Sequence, residues 1–130
     1  MQQSDLSAVI AIINSHDEDD AEAAAESFND GGIENHFVLY HNGAPIGVTG
    51  FRPIPESNRA CWLSWTYVHD NYCNQGHGRT MLGELLNHLR DQEARQVFIK
   101  VSDYEDPEDG KIYAAALHLY KSLGFEVHLT

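Results

Sequence analysis

Gly76 and Gly78 stand two residues apart between an apolar run and an amphipathic helix pattern. The run is Cys61-Trp62-Leu63-Ser64-Trp65-Thr66-Tyr67-Val68, which predicts a strand. In the helix pattern Met81, Leu82, Leu85, Leu86 and Leu89 recur at helical spacing. Glycines at such a junction let the backbone approach a ligand closely. The first turn of the helix adds N–H groups without intrahelical partners and a partial positive charge. Strand, glycine loop and helix start can together hold a phosphate or pyrophosphate. The same glycines also serve a plain strand-to-helix turn, and the loop alone leaves both readings open.

The rest of the pattern places that junction late in a mixed α/β domain. Ser4 or Asp5 can cap a first helix with Leu6, Val9, Ile10 and Ile13 on one face. Asp17 to Asp20 put negative charge at the start of a second helix. Its narrow face is Ala21, Ala24, Ala25 and Phe28, and Gly31-Gly32 ends it. A strand is expected at 36–40, a hairpin turn at Asn42-Gly43 and a return strand at 46–51. Pro53 and Pro55 separate it from the third strand, 61–68. Beyond the glycine loop and its helix, 97–101 reads as a buried strand and 103–110 as an acidic loop. A helix over 112–122, stopped by Gly124, and a last strand over 125–129 complete the order ααβββαβαβ. This predicts a mixed sheet covered by helices, with a right-handed parallel crossover between the third and fourth strands.

A chain of 130 residues is enough for one domain with a real core, expected over 1–130. No apolar run approaches a membrane span and no signal-like segment opens the chain, so a cytoplasmic protein without membrane association is expected. Cys61 and Cys73 are expected to be free thiols. The formal net charge is −12, and nine acids precede the first basic residue, Arg52. Such a surface repels DNA and RNA, which argues against nucleic-acid binding. It is compatible with a cationic partner, although a solvated acidic face is the simpler and favoured reading.

Two segments together resemble the GNAT superfamily of acetyl-CoA-dependent N-acetyltransferases. The family's loop reads Arg/Gln-x-x-Gly-x-Gly/Ala after a strand ending in Val. Here Val68 ends the strand, and Cys73-Asn74-Gln75-Gly76-His77-Gly78 fills the loop. Both glycines match, whereas Cys73 stands where Arg or Gln is usual. The second segment, Ala116 to Phe125, is similar to a later family motif of alanine, Leu-Tyr and Gly-Phe. That motif usually carries Asn seven residues before the tyrosine, and Tyr113 occupies that position. The resemblance extends over about residues 4 to 130. Family members usually have a strand before the first helix and two strands at the end, and the chain departs from both habits.

The resemblance implies a mostly antiparallel sheet, splayed at an acyl-CoA site, and direct acetyl transfer from a thioester to an amine. It implies that backbone N–H groups of Gln75 to Arg79 hold the pyrophosphate, with Cys73, Asn74 and Tyr113 also at the cofactor. It implies that Tyr67 and Val68 pair with the pantetheine arm. The Val68 N–H would polarise the thioester carbonyl. Tyr120 matches the general acid, and a phenol with a pKa of about 10 stays protonated at neutral pH. The acceptor would be a small-molecule or protein amine. A lysine-like amine, with a pKa of about 10.4, needs a base. Glu56 and His69 are candidates, and neither is singled out. A non-catalytic acyl-CoA sensor is the alternative, favoured by the altered positions 73 and 113.

Other patterns carry less. None of the eight histidines forms a His-x-x-x-His pair, so no metal site is expected. A Rossmann reading of Gly76-His77-Gly78 fails because Met81 stands where a third glycine or alanine belongs. His77 is expected to face solvent or the cofactor. A helix start near Cys73 could lower its pKa, against the simpler reading of a small loop residue. Trp62 and Trp65, three apart on a strand, are expected on opposite faces. The last strand leaves an edge with only Glu126 as charged protection, which suggests pairing into a homodimer.

Overall fold

The computed structural model describes residues 1–56, 59–73, 75–94 and 96–98. The expected helix over 112–122, the strand over 125–129, Tyr113, Tyr120 and the edge invoked for a dimer lie outside these residues, as does Asn74. The described residues fall within one unit, Met1–Phe98.

The chain opens with a 3-10 turn, Gln3–Asp5, which runs into helix α1, Leu6–Asn14. Asp5 occupies the N-cap position, but its side chain caps no helix N–H. The carboxylate instead accepts the Gln2 N–H at 2.7 Å and the Tyr40 hydroxyl. Helix α2, Glu18–Gly31, starts as its charge pattern requires. The Asp17 side chain accepts the Asp20 N–H, and three acids fill the first turn. Val9, Ile12 and Ile13 of α1 meet Ala21, Ala24 and Phe28 of α2 in one apolar cluster, which includes Val48 of the sheet.

Strands β1, His36–His41, and β2, Ala44–Pro53, form the hairpin that Asn42-Gly43 predicts. Both turn residues have positive φ, 51° and 80°, as a tight primed turn demands. β2 is buried continuously from Ile46 to Phe51, because both its faces are covered. Val48 faces α1 and α2. Thr49, on the alternate face, lines a groove with Met81, Leu85 and His88 of helix α3, His77–Asp91. Helix α3 buries Met81, Leu82, Leu85 and Leu89, while Leu86 is only half-buried.

The expected third strand is two strands. β3, Ala60–Leu63, pairs antiparallel with β2 in the register Phe51↔Leu63, and β4, Tyr67–Val68, pairs with β2 in the register Val48↔Tyr67. Ser64 N–H donates to Gly50 O at 2.9 Å, and the Thr49 and Thr66 hydroxyls meet at 2.9 Å. Trp65 is therefore an extra residue, bulged between two registers that differ by one. The bulge overturns the expected placement of the two tryptophans. Trp62 lies opposite Arg52, whose guanidinium bonds Ser27 of α2, and Trp65 packs on the α1–α2 cluster. Both rings thus belong to the same face, Trp65 partly buried and Trp62 46% exposed against Phe98. After α3, β5, Gln96–Phe98, lies parallel to β3, as the parallel connection expected from the order of elements requires. The spatial order is β1-β2-β3-β5, with β4 also on β2. The fold is thus an open, mostly antiparallel mixed sheet flanked by helices. Among the described residues, no helix is long and apolar enough to cross a membrane.

His36 locks the helix layer to the sheet. Its Nδ1–H donates to Glu34 O at 2.8 Å, which leaves Nε2 to accept the Ser64 hydroxyl at 2.7 Å. The ring stands edge-on to Phe28 at 5.0 Å. Burial, helped by the nearby Arg52 charge, holds its pKa below the usual 6.5. The unfolded chain consequently takes up a proton near pH 6.5 that the folded chain refuses. Stability should be full above that pH and fall as pH drops through it. Urea titrations over this range should show a flatter dependence in His36→Gln than in the wild type.

A Cβ on Gly50 would lie 2.5 Å from the His36 ring and 2.7 Å from the Asn35 carbonyl oxygen. Gly50→Ala should therefore destabilise the fold by about 2 kcal/mol. Gly83, inside α3, has nothing within 4 Å of such an atom. Gly83→Ala should stabilise by about 0.5–1 kcal/mol through helix propensity. Denaturation midpoints of the two variants should move in opposite directions.

Candidate functional site

The end of β4 and the start of α3 are joined by a short, well-braced turn. His69 N–H donates to Ile46 O at 2.7 Å, continuing the ladder with β2. In an antiparallel ladder such groups alternate, so the N–H and C=O of Val68 point away from β2. Its carbonyl accepts the His16 Nε2–H at 2.5 Å and the Cys73 thiol at 3.4 Å. A 3-10 turn, Asp70–Tyr72, follows, with the His69 imidazole accepting the Asn71 N–H at 3.1 Å. Ser15, just past α1, pins this turn. Its hydroxyl donates to Ile12 O at 2.6 Å and accepts the Asp70 N–H at 3.1 Å.

Gly76 is the N-cap of α3, in the left-handed region at φ 84°. Only glycine adopts this conformation without steric cost. As a cap it offers no side-chain acceptor to the N–H groups of the first helical turn. Its carbonyl receives both the N–H and the hydroxyl of Thr80 at 3.1 Å. His77 and Gly78, read from sequence as loop residues, are already in the first helical turn, followed by Arg79. His77 is half-buried, its ring 5.2 Å from His41 and 6.2 Å from Tyr72. Gln75 is exposed, its amide 3.5 Å from Asn71 O.

Tyr67 and Val68 adjoin the turn at its strand end, while Gln75 to Arg79 form its helix end. Tyr67 donates its hydroxyl to Asp20 at 2.5 Å and lies 5.7 Å from the His16 ring. The thiol of Cys73 is pushed up, first by burial and then by the Asp70 charge, so the lowering that a helix start could produce does not occur. Of the two base candidates, His69 directly follows β4, whereas Glu56 is exposed beyond the far end of β2. Cys61 is a buried free thiol and Cys73 a half-buried one.

Three residues at the strand end were not legible as site residues. His16, Ser15 and Asp20 reach it from 47 to 55 positions away in the chain. Of the three, only Asp20 carried a sequence signal, the acidic run that starts α2.

A sequence profile of the acetyltransferase (GNAT) domain matches residues 32–127. No curated protein sequence matches the chain. Among solved structures, a GNAT-family protein from Desulfovibrio desulfuricans superposes with a TM-score of 0.79 at 19% identity, covering 98% of this chain and 82% of that one. The ribosomal-protein-S18-alanine N-acetyltransferase of Escherichia coli gives 0.74 at 23% identity, covering 99% and 76%. A Clostridium acetobutylicum protein solved with acetyl-CoA gives 0.66 at 16% identity, covering 100% and 92%. These likenesses establish the fold. The profile match, over the strands and helix that build the turn, goes further: the chain belongs to the GNAT acetyltransferase family.

Proposed function

We propose that the protein is an N-acetyltransferase that moves an acetyl group directly from acetyl-CoA to a primary amine of a small molecule or protein, within one domain over 1–130. The observation that carries this reading is the left-handed Gly76 heading α3 one short turn after β4. That turn links the strand end, where the Val68 N–H points away from β2, to a helix start of the kind that favours anions. The pyrophosphate rests on backbone N–H groups of Gln75 to Arg79, and the pantetheine arm runs along Tyr67 and Val68. The acetyl-CoA bound to the Clostridium acetobutylicum protein supports the choice of donor.

The chemistry follows from the charges that move. The amine nitrogen attacks the thioester carbonyl, and the Val68 N–H stabilises the oxyanion that develops there. Collapse breaks the C–S bond and leaves the acetyl group on nitrogen. The departing thiolate takes a proton from Tyr120, and the amine gives up its own to a base reached directly or through water. His69 has the better position of the two original candidates. The acidic start of α2 reaches the strand end through Asp20 and Tyr67, which supports a cationic acceptor.

Gly78→Glu sets a bulky negative side chain in the first turn of α3, where the pyrophosphate is proposed to rest. Calorimetry should show acetyl-CoA binding to the wild type and none to the variant. Equal affinity in both would remove the helix start from the site. With an acceptor found by thiol release across polyamines, amino acids, aminoglycosides and peptides, Tyr120→Phe should lower kcat by roughly 100-fold. Acetyl-CoA affinity should stay nearly unchanged. An unchanged kcat at neutral pH would take Tyr120 out of the acid role.

A further inference from the structure

Three metal-ligating side chains from two distant stretches of sequence meet beside Val68. One ligand atom each from His16, Asp70 and Cys73 lies within 4.8 Å of the others. Cys73 Sγ is 3.7 Å from His16 Nε2. With zinc–sulfur and zinc–nitrogen bonds of about 2.3 and 2.0 Å, the sulfur–nitrogen edge of a tetrahedron is about 3.5 Å. The pair is therefore already at ligand spacing. The Val68 carbonyl, 3.4 Å from the same sulfur, can supply a fourth ligand once the His16 ring, now 2.5 Å from it, has moved off, with water as the alternative.

The scaffold under these groups is braced from both sides. Ser15 links the end of α1, one residue before His16, to the backbone of Asp70. Ser15 N–H and His16 N–H are themselves bonded back to carbonyls of α1. The C-terminal end of α1 carries a partial negative charge that favours a cation at His16. Cys73 stands where the family pattern has Arg or Gln, so this ligand set is a property of this chain.

We propose that His16, Asp70 and Cys73 form a binding site for a divalent cation of borderline softness, with zinc the best match. An imidazole nitrogen, a thiolate and a carboxylate oxygen together favour zinc over calcium or magnesium. Binding replaces the thiol proton of Cys73, which passes to water, and moves the imidazole proton from Nε2 to Nδ1. The His16 ring leaves Val68 O to coordinate the ion.

Cobalt(II) is the probe, added to the full chain purified under reducing conditions and freed of metal. One equivalent should produce a near-ultraviolet thiolate-to-cobalt charge-transfer band and the intense visible bands of a tetrahedral site. Zinc should displace both. Cys73→Ser should abolish the charge-transfer band, whereas Cys61→Ala should keep it. His16→Asn and Asp70→Asn, at exposed positions that burden folding little, should each weaken cobalt binding roughly 100-fold. Circular dichroism establishes that each variant is folded. Absence of a thiolate–cobalt band in the wild type would overturn the site. So would a band that survives Cys73→Ser, or wild-type affinity in both His16→Asn and Asp70→Asn. None of these readouts depends on acetyl transfer, so the site stands or falls apart from the proposed activity.

Discussion

The structure depends on β2 being covered on both faces at once. Helices α1 and α2 close on Val48 from one side, and α3 closes on Thr49 from the other. Such a strand has no solvent face on which to leave a polar group. Among the described residues, the two deeply buried polar side chains, Thr49 on this strand and His36 on the strand beside it, are accordingly satisfied. His36 is held by Glu34 O and Ser64, and Thr49 by Thr66. Within the sheet, the His36 ring and the Asn35 carbonyl beside it leave Gly50 no room for a Cβ. Position and identity are coupled there: the small residue admits the ring, and the ring ties the sheet to its own loop.

The same constraint shapes the site. β2 must pair with β3 at one end and β4 at the other, in registers that differ by one. Trp65 absorbs the difference and, in doing so, packs on the α1–α2 cluster. Below the bulge, Val68 turns its N–H and C=O away from β2. The chain then reverses through Asp70–Tyr72 and enters α3 at a left-handed glycine. Strand edge and helix start are two ends of one braced turn, and Ser15 fastens that turn to α1. This arrangement holds backbone donors in fixed positions, which is what stabilising a developing oxyanion or gripping a pyrophosphate requires.

Local chemistry made much of this legible. Asn42-Gly43 specified the hairpin, and the acids from Asp17 specified the start of α2. The spacing of Met81, Leu82, Leu85 and Leu89 specified the buried face of α3. Gly76 marked the junction. Each of these signals acts within a few residues, so each survives without knowledge of the partner. The bulge did not show, because an apolar run from Cys61 to Val68 satisfies a continuous strand equally well. Only pairing against β2 reveals that one residue is surplus, and with it that Trp62 and Trp65 share a face.

Sequence alone therefore determined the order of the described elements apart from the divided third strand, the turn chemistry, the family resemblance and the glycine that heads α3. Those properties follow from periodicity, capping and backbone preferences, all short-range. Tertiary structure alone decided which side chains converge on Val68. His16 bonds its carbonyl, Asp20 bonds the neighbouring Tyr67, and Cys73 joins His16 and Asp70 in one cluster. No spacing rule could bring residue 16 to residue 73. Their meeting is fixed by the packing of α1 against β4, a contact between stretches more than fifty residues apart.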